Sequence, residues 1–165
     1  VEALVALGRT PHLGAARGPG PDDSAAVARA LARMGLGGFA GRPATALSGG
    51  EQARVMIARA LAQEAPLLMA DEPIAGLDPA HQLSTMALFA ELAREGRAVF
   101  VALHDLGLAA RFCTRLVVMQ AGRIVADGPP GAVLRPGLLA DVFNIRAFFA
   151  ETGDGPVFQP LEVLS

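Results

Sequence analysis

The chain has no lysine: all fourteen of its cationic residues are arginine, set against sixteen acids for a formal net charge of −2. With no basic run in the sequence, a nucleic-acid footprint is not expected. The arginine-only usage, beside many alanines and glycines, is read as a compositional habit. It also excludes a GxxxxGK[ST] phosphate loop, which needs a lysine. Cys113 is the single cysteine, so an internal disulfide is excluded and a reducing compartment fits. No apolar run approaches the roughly 20 residues that span a bilayer. The start does not resemble a secretion signal, because Arg9 follows the short apolar opening instead of preceding it. The expectation is a soluble chain that reaches a membrane only through a partner.

What is present is a chain of 165 residues, 52% of them hydrophobic, enough for one domain or two small lobes. It opens on Val1, not Met, inside an apolar helical pattern, as expected of a segment cut from something longer. Residues 1 to 8 suggest a short helix ended by Gly8, then a proline- and glycine-rich loop from Thr10 to Pro21. A second helix is expected at about 24 to 35, capped among Asp22, Asp23 and Ser24, with Val27, Leu31 and Met34 on one face. Ser48 caps a third, with Val55, Ile57, Ala58 and Leu61 inward and Pro66 ending it. "LLMAD" (67–71) is expected as a buried parallel strand. Pro79 starts a helix to about Arg94, closed by Gly96. "AVFVALHD" (98–105) is a second strand, followed by a short helix at 106–112. Residues 115 to 128 give a strand, a turn at Ala121-Gly122 and another strand. Two short helical patterns in 129–150, parted by Pro136 and Gly137, precede an irregular tail. Strand, helix, strand at this spacing is a βαβ unit, so the fold class is α/β. The expected parts are a helical subdomain (1–63), the remainder of an ATPase-type core (64–128) and a C-terminal segment (129–165).

Four short stretches carry chemistry. "LSGGEQAR" (47–54) puts Ser48, Gly49, Gly50 and Glu51 at a helix start. Unpaired amides and the partial positive charge there suit a phosphate, and the glycines allow close approach. Ser48 with Glu51 equally fits an ordinary S-x-x-E capping box. "LLMADEP" delivers Asp71 and Glu72 at a strand's carboxyl end, one carboxylate suited to a metal and the other to activating water, or both simply solvated. Asp78 in "GLDP" can cap the helix at Pro79. His104, at the end of the second strand, should lie near Glu72, because strands joined by one helix tend to be neighbours. There it could bond a terminal phosphate, or serve as a structural polar group. His12 and His81 are read as structural.

The order and spacing of these stretches resemble the ATP-binding subunit of ABC transporters. "LSGGE" matches the family signature, "LLMADE" its Walker B strand, "AGLDPA" its D-loop and "LHD" its switch histidine. The resemblance runs from about residue 1 to 140. It implies an incomplete P-loop NTPase (RecA-like) parallel sheet with an ABC-type helical subdomain. It further implies ATP and Mg²⁺ as cofactors, with Asp71 helping to hold Mg²⁺ through water, Glu72 as catalytic base and His104 on the γ-phosphate. Ser48, Gly49, Gly50 and Glu51 would contact ATP held by the opposite subunit, and Asp78 would lie across the dimer interface. Glu51 stands where many members have glutamine. "VALGRTPH" (5–12) resembles the corresponding segment of importers of chelated iron, haem and cobalamin. The implied partners are a second copy of the subunit and transmembrane permease subunits, with no nucleic acid. The implied location is the cytoplasmic face of the membrane, peripherally.

The family's P-loop and glutamine loop, which precede the signature, have no counterpart here. In the family's sheet the P-loop strand lies between the His104 strand and the strand at 115–120, so "VFVALH" (99–104) is expected to present an unpaired edge. Two other functions fit less of the sequence. A DNA-repair or chromosome-organising ABC ATPase would carry heptads before the signature, and none are seen. A catalytically inactive binding module remains the alternative of another class.

Overall fold

A computed structural model describes residues 1–14 and 18–164. The chain divides into two compact units, Val1–Ala102 and Leu103–Ser165.

The first unit begins with α1 (Glu2–Ala6), which runs into a 3-10 helix, Leu7–His12. Gly8 therefore does not end a helix, as the sequence suggests; it lies within one. Of the expected loop from Thr10 to Pro21, Ala15 to Arg17 fall outside the described residues. Helix α2 spans Pro21–Arg33 and so starts about three residues earlier than its periodicity suggests. The cause is local. Proline suits the first helical turn because its φ is preset and its missing N–H has no helical partner there. The Asp23 carboxylate also accepts the Gly20 N–H at 2.9 Å. Val27, Leu31 and Met34 are buried, as their spacing requires.

Helix α3 (Gly49–Ala62) buries Val55, Ile57, Ala58 and Leu61. It stops well before Pro66, because Glu64 takes a left-handed φ of 53°. The open carbonyls at its end find side-chain donors. Arg9 Nη1 donates to Ala62 O at 2.8 Å, and His12 Nε2 lies 2.7 Å from Gln63 O.

Strand β1 (Leu67–Asp71) pairs in parallel with β2 (Ala98–Ala102), in the register Met69 to Phe100. The connection is α4 (Pro79–Arg94), which packs on β2. This is the βαβ unit expected, and its strands are immediate neighbours. One correction concerns burial. Only Leu68 of β1 is buried; Leu67, Met69 and Phe100 are 48%, 67% and 53% exposed on the other face. That face is therefore open to solvent over about half or more of each of these residues.

The second unit opens with α5 (Leu106–Phe112), followed by the hairpin β3 (Leu116–Gln120) and β4 (Arg123–Gly128). Ala121 and Gly122 both have positive φ, 49° and 75°, which marks a type I′ turn matched to the strand twist. Helices α6 (Pro130–Val133) and α7 (Pro136–Phe143) follow.

The expected irregular tail is instead a second hairpin, β5 (Ile145–Thr152) with β6 (Gly155–Val163). Its prolines and glycines suggest a tail, but each has a permitted place. Gly153-Asp154 makes the turn, and Gly155 follows it at φ 102°. Pro160 sits where the register shifts, opposite Ala147. The hairpin is held by packing. Ile145, Ala147, Phe149 and Phe158 lie against buried Ala110, Leu134 and Leu139.

No helix among the described residues is long and apolar enough to cross a membrane.

Candidate functional site

Ser48 is the N-cap of α3. Its Oγ accepts the Glu51 N–H at 3.3 Å. Glu51 answers with one carboxylate oxygen, Oε2, which accepts the Ser48 N–H at 2.7 Å and the Ser48 hydroxyl at 2.8 Å. This is the reciprocal capping box. The two Ser48 contacts, backbone first, pull the Glu51 carboxyl below its ordinary pKa, with Arg42 and Arg54 adding to the effect. Ser48 and Gly49 are solvent-exposed. A helix start leaves the amides of its first residues without intrahelical acceptors, so this loop presents donors to solvent.

The structure brings this loop against a second predicted stretch. A Cβ added to Gly50 would lie 3.6 Å from Leu77 Cδ2 and 3.9 Å from Gly76 O. The signature loop and the GLD turn are therefore packed neighbours, a relation that no local spacing reveals. Gly76 turns the chain at φ 72°. Asp78 then caps α4, its Oδ1 accepting the His81 N–H at 3.0 Å. Its Oδ2 lies 2.5 Å from His81 Nδ1. These two bonds, backbone first, hold the Asp78 carboxyl below its usual range. His81 thus has a structural role, as expected, and it orients Asp78.

The β1 ladder continues one residue past the strand, where the Glu72 N–H donates to Ala102 O at 3.1 Å. Glu72 then adopts φ 46°. A left-handed conformation costs a non-glycine residue about 1–2 kcal/mol, and such outliers cluster at functional positions. This turn separates Asp71, exposed at the strand end, from Glu72, which is half-buried.

His104 belongs to the second unit and is exposed. Strand β2 closes at Ala102 instead of running to Asp105. The reason is the following helix: Asp105 caps α5 by accepting the Leu108 N–H at 2.8 Å, which takes the segment out of the ladder.

Sequence reasoning missed Arg9. The residue is only 7% exposed. It bonds Asp23 at 2.9 Å and Glu64 at 2.8 Å besides Ala62 O. Burial opposes its charge, but the two carboxylates outweigh this and raise its pKa. Arg9 ties the 3-10 segment to α2 and α3. A buried arginine needs paired carboxylates, and neither partner is near it in sequence.

No group of three or more histidine, cysteine, aspartate or glutamate side chains among the described residues is arranged to hold a metal ion. Asp71 is a single hard oxygen donor, the kind Mg²⁺ takes alongside phosphate oxygens and water.

Residues 6–75 match the family model described as ABC transporter. A hemin import ATP-binding protein of Streptomyces coelicolor is 53% identical over 144 residues, covering 87% of this chain and 51% of the relative. A cobalamin import ATP-binding protein of Halobacterium salinarum is 48% identical over 147 residues, covering 88% of this chain and 36% of the relative. A solved ABC transporter described as of metal-chelate type, in an inward-facing conformation, superposes with a TM-score of 0.85 at 26% identity. That superposition covers 98% of this chain and 66% of the solved one. The chain thus spans about half or less of the length of these curated relatives.

Proposed function

This chain belongs to the ABC transporter family, with the fold of its RecA-like ATPase domains, and on that premise we propose that it forms part of an ATP-hydrolysing subunit of an importer for haem, cobalamin or an iron chelate. The observation that carries the reading is the signature loop. Ser48 and its neighbouring amides form an anion-suited helix start packed on the GLD turn, yet the chain has no lysine to hold the rest of a nucleotide. A second full-length copy, carrying the rest of the ATPase domain, would supply the other half of such a phosphate site. In this proposal Ser48, Gly49, Gly50 and Glu51 meet ATP bound by that copy, Asp78 lies at the interface, and permease subunits anchor the pair at the membrane's cytoplasmic face.

Glu72 is proposed as the general base that orients and deprotonates the attacking water. Asp71 would help hold Mg²⁺, which supplies charge neutralisation on phosphate oxygens, and His104 would bond the terminal phosphate. The high identity to hemin and cobalamin import proteins supports the substrate class.

In the full-length protein, Glu72→Gln should lower ATP turnover about 10²–10⁴-fold while ATP binding persists. Ser48→Arg should block turnover while each single subunit still binds nucleotide. Turnover by Glu72→Gln within a few-fold of wild type would remove Glu72 as base. Loss of single-subunit binding in Ser48→Arg would place Ser48 in a site of its own chain. Residues 1–165 alone should neither bind ATP tightly nor hydrolyse it, which calorimetry and a phosphate-release assay check.

A further inference from the structure

A serine has one backbone N–H and one hydroxyl proton to give. At Ser48 both are given to the same atom, Glu51 Oε2, at 2.7 and 2.8 Å. The hydroxyl's acceptor side also faces inward, taking the Glu51 N–H at 3.3 Å. In this state Ser48 has no donor left for an anion, although it is the exposed residue at the helix start. The carboxylate that occupies it is anionic, so its bonds to the two donors are of the strong, charge-assisted kind. Glu51 thus has a consequence beyond helix capping.

We propose that Glu51 is a positioning residue that latches Ser48 in a non-donating state, released only when a nucleotide phosphate carried by a second copy displaces the carboxylate. This rests on the reading of Ser48 as a contact to the opposite copy's ATP. The latch sets the ATP concentration at which the two copies engage. Bonds to an ionised acceptor are roughly twice as strong as neutral ones, so a phosphate must outcompete a strong local partner. Arg42 and Arg54 are the charged groups felt by Glu51, and both are cationic; they favour its ionised form and keep the latch set. Release therefore comes by displacement and not by protonation in the working pH range.

Glutamine at this position keeps a side-chain carbonyl for the capping box while removing the charge. In the full-length protein, Glu51→Gln should lower the ATP concentration for half-maximal turnover about three- to tenfold, with a smaller change in maximal rate. Half-saturation should also become less sensitive to salt. A purely structural role predicts no such gain. In the double variant Ser48→Ala/Glu51→Gln the gain over Ser48→Ala should be smaller than the gain of Glu51→Gln over wild type, because one of the two latched donors, the hydroxyl, is gone. If half-saturation in Glu51→Gln is unchanged or raised while Ser48→Ala impairs turnover, the latch is wrong and the signature reading stands. If the double variant keeps the full gain, Glu51 does not act through the Ser48 hydroxyl, and the latch is again overturned. If Ser48→Ala matches wild type in both rate and half-saturation, the contact to the opposite ATP is what fails.

Discussion

Gly8 shows how a single residue can be required without any chemistry of its own. A Cβ at this position would lie 2.1 Å from the Arg59 carbonyl oxygen, backbone that cannot swing aside. The 3-10 segment lies directly on α3 there, and Arg9 and His12 bond the carbonyls at the end of α3. Gly8→Ala should therefore destabilise the first unit by about 1–3 kcal/mol, the usual cost of overpacking, seen as a lower denaturant midpoint. Glu64 gives a pH-dependent counterpart. Hydrogen bonding from Arg29 is the main cause of its lowered pKa; burial opposes the shift, and Arg9 adds to it. A depressed folded pKa means that the stabilisation is present above the unfolded carboxylate value, near pH 4. It is lost as pH falls through the lower folded value. The melting temperature should drop more steeply on acidification in wild type than in Glu64→Gln, compared by scans at several pH values below about 5.

Among the elements, the two hairpins of the second unit differ in how they are specified. The β3–β4 turn places Ala121 at φ 49°, where a Cβ is a burden. Ala121→Asn would give Asn-Gly, the preferred pair for this turn. It should stabilise the hairpin by about 0.5–1 kcal/mol, raising the urea midpoint with no change in m value. The turn itself is legible in the sequence because its signal is local. The β5–β6 hairpin is not, because its strands gain their reason from Ala110, Leu134 and Leu139, which lie far along the chain from Phe158. The β2 strand stopped short for a local reason: the cap that Asp105 offers α5 takes precedence over continuation of an apolar run.

At the scale of the whole molecule, the consequential feature is apolar surface that this chain leaves open. Leu67, Met69 and Phe100 line one face of the β1–β2 pair, and Met119 and Ile124 are likewise exposed on the β3–β4 hairpin. The β1–β2 sheet has two strands only, so each keeps an edge without a strand partner among the described residues. Open edges and bare apolar faces recruit other chains. Residues 1–165 on their own should self-associate with rising concentration, measured by sedimentation velocity. Addition of a separately expressed segment bearing the rest of the ATPase domain should suppress it. A monomer at all concentrations would show that these surfaces are tolerated in water.

The sequence by itself determined whatever a few consecutive residues control. The S-x-x-E cap at Ser48, the Asp-Pro start of α4, the parallel βαβ order and the turn at Ala121-Gly122 all rest on interactions within about four residues or on simple periodicity. The order of the four motifs carried the family in the same way. Tertiary structure alone decided the rest. It buried Arg9 between Asp23 and Glu64, packed Gly50 on the Gly76–Leu77 turn and made a hairpin of residues 145–163. It also left Met69 and Phe100 in the open. Each of these depends on what a distant segment offers: a counter-charge, a surface or its absence. Local propensity has no access to that, because burial and pairing energies arise only between residues that folding brings together.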